Sequence, residues 1–196
     1  MKTIYVVSHT ESEHHLTDLV GGWYDSELTN KGISDAEALA QTISSDSNVD
    51  VVITSDLKRA KSTADCISKV SGASVIVTSA LREMSFGPAD GKAQSWLDEH
   101  IQPEDGKNRM DHCIVDGAET KRAFVGRIYQ YLNSIEIPKC SVISTHSFAA
   151  TYVIAWWIGM PLESVGYVNF GIKPGKITKL LEDDLFKNRA IVYLNQ

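Results

Sequence analysis

Four side chains stand where a chain of alternating strands and helices concentrates its chemistry. His9 follows the β-branched run Thr3–Val7, Arg59 comes shortly after Val51–Thr54, Glu83 after Ser74–Val77, and His146 after Cys140–Ser144. Ligands of an open α/β sheet bind beyond the carboxyl ends of its strands. These groups, drawn from positions as distant as 9 and 146, are therefore expected to converge on one sheet edge. Such a set suits a phosphoryl group. A guanidinium and imidazole donors hold a phosphate dianion, a neutral imidazole nitrogen can attack phosphorus in line, and a protonated carboxyl can assist an alkoxide leaving group. An arginine in a first helical turn opposes the macrodipole and so asks for a local anion. A lone histidine after a strand is more often structural, and a loop glutamate more often solvated; the joint placement is what points to chemistry. The sequence has no GxSxG, GxxxxGK[ST], GxGxxG or HExxH pattern. The adjacent pairs His14-His15 and His112-Cys113 lack tetrahedral ligand spacing, so neither a metal nor a cofactor is expected.

The elements that must position these groups show in the apolar spacing. Ile33, Ala36, Ala40 and Ile43 mark one helix face, Leu57, Ala60, Ala64, Ile67 and Val70 a second, and Phe124, Ile128, Leu132 and Ile135 a third. Phe148–Ile158 is too apolar for a surface stripe and is predicted to be buried on most of its circumference. Ile177–Leu181 and Ala190–Leu194 read as a closing strand pair. The alternation predicts an α/β domain around a mainly parallel sheet. Residues 9–31 and 80–116 read as long loops, which in a compact domain are usually functional. A length of 196 residues favours one domain over 1–196, and 43% hydrophobic with 22% charged residues excludes a disordered chain. Nineteen basic against 25 acidic residues give a net charge of −6, which argues against nucleic-acid or anionic-lipid partners. Three cysteines without CxxC spacing fit a reducing compartment. The start MKTIYVVSHTESEHH is too short in apolar residues for a signal segment, and the longest apolar stretch, Tyr152–Met160, cannot span a membrane. A cytoplasmic location is expected.

At this point the residues resemble a family. Ser8-His9-Thr10-Glu11-Ser12 stands where the histidine phosphatase superfamily, also called phosphoglycerate-mutase-like, has its Arg-His-Gly motif. Asp25–Gly32 is similar to that family's D-x-x-L-T-x-x-G stretch, and Ser55–Ala64 to its S-x-L-x-R-A-x-x-T-A. Leu81–Gly87 with Asp90-Gly91 resembles its acid loop, Asp116–Thr120 its G-G-E-S helix start, and Ser144–Ser147 its second histidine motif. The matches run in family order from residue 3 to residue 150. The resemblance implies a three-layer α/β/α fold with a mainly parallel mixed sheet. It implies His9 as the nucleophile that becomes phosphorylated, Arg59 and His146 as phosphoryl ligands, and Glu83 as proton donor.

Two positions depart from the pattern: Ser8 replaces an arginine and Thr10 a glycine. Loss of a transition-state donor typically costs about 10²–10³ in rate. Replacement charge is sought in His14, His15, Lys58 and Arg82. His15 lies where members reading Arg-His-Gly-x-Ser-x-x-Asn place a phosphate-contacting asparagine, and Ser8 and Ser147 complete the expected phosphate contacts. A protonated His15 would make phosphate affinity fall as pH rises through roughly 6 to 7.

The expected function is a metal-independent phosphomonoester hydrolase of the histidine acid phosphatase type, acting through a phosphohistidine at His9. The alternative is a non-catalytic phosphate-ligand binder. A phosphoglycerate-type mutase is less favoured, since those resemble longer chains with extra loop segments. The expected partner is a small phosphorylated substrate, with a homodimer through a strand edge or the Tyr152–Met160 helix left open. Trp23, Tyr24, Phe86 and Trp96 are candidates to stack on substrate, while Glu11, Glu13 and Asp90 near the entrance would repel a second phosphate.

Overall fold

Each predicted β-branched run becomes a strand: β1 (Lys2–Ser8), β2 (Val51–Ser55), β3 (Ser74–Thr78), β4 (Cys140–Thr145), β5 (Ile177–Glu182) and β6 (Arg189–Tyr193). The computed structural model describes residues 1–104 and 106–196. The sheet order is β3-β2-β4-β1-β5-β6, parallel from β3 to β1 and antiparallel through β5 and β6. Ser8 is level with Thr145, and Thr54 with Ser144, so the carboxyl ends of β1, β2 and β4 form one shelf.

The helices are α1 (Glu13–Leu16), α2 (Asn30–Asp46), α3 (Lys58–Ser71), α4 (Gln94–His100), α5 (Lys121–Ser134) and α6 (Ser147–Trp157). Alternation along the central strands divides the core. Tyr5, Val7, Val52 and Val142 pack with Leu39, Ala40, Ala64 and Ile67 of α2 and α3, while Ile4, Val6, Ile53 and Ile143 pack with Phe124, Ile128, Val153 and Ile154 of α5 and α6. The sheet therefore has helices on both faces, the three-layer arrangement expected. α6 is buried from Ala149 to Ala155 and again at Trp157, as its composition predicts. No helix among the described residues is long and apolar enough to cross a membrane.

The predicted boundaries shift in three places. Ile33 is 43% exposed, and the buried face of α2 starts instead at Gly32. A Cβ at Gly32 would lie 2.0 Å from the Glu11 carbonyl oxygen, so the close approach of the 9–31 segment reserves that face for a glycine. Leu57 and Ile135 flank α3 and α5 as cap residues rather than belonging to them. The 9–31 segment, read as loop, contains the short α1.

Candidate active site

His9 leaves the end of β1 with its backbone N–H donating to the Thr145 carbonyl at 2.9 Å. Its ring is buried, and Nδ1 lies 2.8 Å from the Thr10 carbonyl, a bond that only a protonated nitrogen can donate. Nε2 thus keeps its lone pair, and Arg59 Nε donates to it at 3.2 Å. Arg59 reaches this point because α3 begins beside β2, its first turn capped by Asp25, whose Oδ1 accepts from the Lys58 backbone at 2.7 Å. The guanidinium is 1% exposed and also donates to the carbonyls of Tyr24 (2.5 Å) and Gly22 (2.7 Å). Gly22 has φ +40°, and a Cβ there would lie 1.8 Å from Asp90 Oδ1, so the carbonyl that steadies Arg59 needs a glycine. Among the described residues no carboxylate forms an ion pair with Arg59. Burial lowers its pKa to about 10. Burial first, and then the Arg59 charge, hold His9 well below the ordinary histidine value, so its imidazole is neutral.

His146 follows β4 and stands at the N-cap of α6. Its Nε2 is 3.0 Å from Ser55 Oγ, its ring meets that of His9 edge-on at 5.2 Å, and its Nδ1 is buried with no hydrogen-bond partner. Burial and Arg59 again favour the neutral ring. Glu83 sits against the start of the same helix. One carboxylate oxygen accepts from the backbones of Met84 (3.0 Å) and Ala149 (3.1 Å), the other from Phe148 (3.1 Å). Burial nevertheless raises its pKa above the usual glutamate value, against those bonds and Arg59.

Arg127 of α5 holds the Glu83 loop, donating to the carbonyls of Ala80 (2.8 Å), Arg82 (2.9 Å) and Glu83 (2.8 Å) while pairing with Glu119 at 2.8 Å. Sequence reasoning missed Arg127, which reads as one more helix cation. Glu119 lies in a family-like segment, and an α5 cation one helical face along was the only available signal.

The departures are filled in an instructive way. Ser8 is fully buried, and its Oγ lies 2.9 Å from Ser147 Oγ, so the two expected phosphate contacts bond to each other. Thr10 donates its hydroxyl to the Gly32 carbonyl at 2.7 Å. His15 is exposed and stacks on His9, with ring centroids 5.5 Å apart and planes 13° from parallel. Burial first and then the Arg59 charge hold its pKa below the ordinary histidine value, so in the ligand-free protein both work against the charge it was expected to supply. His14 supplies no charge: it is buried, its Nδ1 lies 2.7 Å from Ser26 Oγ and 3.0 Å from Ser12 Oγ, and its pKa is lowered to about 3. Lys58 and Arg82 are already paired, with Glu27 at 2.8 Å and with Asp56 at 2.6 Å. Contrary to the expectation that Asp90 faces the entrance, it turns inward, accepting from Ser85 Oγ and the Phe86 backbone. Trp96 stacks on His100 at 4.0 Å, and Trp23 donates to the Glu83 carbonyl at 2.8 Å; both serve the loops. His9, His14 and His15 each offer a ring nitrogen within 4.8 Å of the others, closer than adjacent spacing implies, but both serine contacts of His14 and the Thr10 bond of His9 engage their Nδ1 atoms.

The chain as a whole is similar to known proteins. A phosphatase of Hydrogenobacter thermophilus, named "Putative phosphoserine phosphatase 2", is 39% identical over 201 residues, covering 100% of this chain and 96% of the relative. The adenosylcobalamin/alpha-ribazole phosphatase of Escherichia coli K12 is 26% identical over 171 residues, covering 83% of this chain and 82% of the relative. The crystal structure of the alpha-ribazole phosphatase from Shigella flexneri superposes with a TM-score of 0.81 at 26% identity, over 99% of this chain and 96% of that one. The sequence model of the histidine phosphatase superfamily (branch 1) matches residues 4–188, nearly the whole chain, and the chain belongs to that superfamily.

Proposed function

We propose that the chain hydrolyses phosphomonoesters through a phosphohistidine at His9. The observation that carries this reading is the His9 Nε2 lone pair, held 3.2 Å from a buried Arg59 that lacks a carboxylate partner. Nε2 attacks phosphorus opposite the ester oxygen; the P–O bond breaks as the P–N bond forms, and the Glu83 proton passes to the departing alkoxide. Water then attacks phosphorus, gives its proton to the Glu83 carboxylate, and leaves inorganic phosphate and neutral His9. Arg59, with N–H groups beyond those held by Gly22, Tyr24 and His9, stabilises the transferring group, joined by the otherwise unpartnered His146 Nδ1. Every step uses the chain's own residues, so turnover is expected to persist in chelator. The name of the Hydrogenobacter relative makes O-phosphoserine one substrate to test.

The non-catalytic alternative draws on Ser8, which brings no cation where the family has one. Rapid quench with p-nitrophenyl phosphate separates the two. Acid-labile phosphohistidine on the wild type and none on His9→Ala supports the hydrolase. Absence of both labelling and turnover, with phosphate still bound, supports the binder.

A further inference from the structure

Beside Glu83 lies a cavity of about 410 Å³ that the phosphoryl chemistry does not use. Met84, Phe86, Ile101, Ile114 and Phe148 give it apolar walls, and the ion pair Glu104–Arg109 with Gln102 and His112 forms its polar rim. Phe148 joins it to the acid: its backbone N–H donates to Glu83 at 3.1 Å, and its ring lies 5.6 Å from Lys121 Nζ. The cavity thus adjoins the backbone that holds the acid.

Lys121 is the unusual member of the lining. It begins α5, half-buried, and among the described residues its ammonium makes one hydrogen bond, to the Gly166 carbonyl at 2.8 Å. An ammonium has three donors, so two remain. Among the described residues no carboxylate pairs with Lys121; the nearby Glu104 is taken by Arg109 at 2.7 Å. Burial first and then the Arg109 charge disfavour the protonated amine, the Glu104 charge offsets them only in part, and an incoming anion would therefore favour the ammonium. The apolar walls exclude a heavily hydrated group, and one ammonium matches one negative charge.

We propose that this cavity binds the alcohol portion of the substrate and that Lys121 selects an apolar alcohol bearing a carboxylate. The assignment rests on the hydrolase reading only for the direction in which the alcohol lies.

Binding tests the cavity without turnover. Titration calorimetry would compare phenylphosphonate with 4-carboxyphenylphosphonate and a straight-chain ω-carboxyalkylphosphonate, on the wild type, Lys121→Met and Lys121→Arg. The expected result is a preference of about tenfold or more for at least one carboxylate ligand, retained in Lys121→Arg and reduced to near unity in Lys121→Met. Because the readout is a ratio within each protein, a partly folded variant still reports it. A wild-type ratio near one, or a preference surviving in Lys121→Met, overturns the proposal. Kinetics with the corresponding phosphate esters then separates the two readings: carboxylate-selective binding without turnover of any ester sinks the hydrolase and leaves the cavity assignment standing.

Discussion

At Glu83 two influences oppose each other: three backbone N–H groups favour the carboxylate, and burial favours the acid. Burial wins, which is the state a proton donor needs. Activity requires neutral His9, whose pKa lies well below 6.5, and protonated Glu83, whose pKa lies above 4.5. With rising pH, kcat/KM should climb as His9 loses its proton and decline as Glu83 loses its own, which brackets the optimum between the two groups. Glu83→Gln should lower turnover of alkyl phosphates by about 10²–10⁴. With p-nitrophenyl phosphate, whose leaving group needs little protonation, the loss should be much smaller, and the alkaline limb should disappear. Equal losses on both substrates would remove Glu83 from the acid role. Arg59 carries the other residue-scale prediction, since Ser8 leaves it without a cationic companion. Lysine cannot reproduce contacts to Gly22, Tyr24 and His9 together, so Arg59→Lys should reduce kcat/KM by about 10²–10³.

α6 and α5 divide the work of placing the acid. α6 presents its first free N–H groups to the Glu83 carboxylate, while Arg127 of α5 ties down the loop behind it. Arg127→Met would strand the carbonyls of Ala80 and Arg82 and leave Glu119 without its cation, destabilising the fold by about 2 kcal/mol or more. It should also shift the alkaline limb of the pH profile, a change that loss of stability alone would not cause; denaturant unfolding and pH-dependent kinetics read the two effects. The convergence of His9, Arg59, Glu83 and His146 was legible in the sequence because strand ends are marked by β-branched runs that stop at polar residues. Arg127 was not, since the carbonyls it holds belong to the Ser79–Leu81 turn and to residues 82 and 83, irregular backbone without a periodic signature. Asp90 misled for a related reason: an acidic residue in a glycine-rich loop looks solvated until Ser85 and Phe86 are seen bonding to it.

Three neutral histidines lie beneath the site, and they tie the whole fold to pH. His9 and His146 titrate well below 6.5, and His14 at about 3, each because burial disfavours the cation. The three-layer order was legible only through the family resemblance, and in the structure the pleat of β1 realises it by sending Tyr5 and Val7 to one face and Ile4 and Val6 to the other. The inward turn of His14 was not, because it depends on Ser12 and Ser26 meeting across α1. Below the unfolded value near 6.5 the unfolded chain takes up protons that the native chain refuses. Native stability is thus fully present above that value and is lost as pH falls toward the folded value. For His14 the loss between pH 7 and 5 is about 2 kcal/mol, and His9 and His146 act in the same direction. Urea unfolding at pH 7 and 5 should therefore show a lower midpoint at the acid pH with an unchanged slope. His14→Asn keeps a polar group near the two serines and removes one titration. It should make the midpoint less sensitive to pH, whatever its effect on stability at pH 7. An unchanged pH dependence in that variant would mean that the native fold leaves the proton affinity of His14 at its unfolded value, and would overturn the account of its burial.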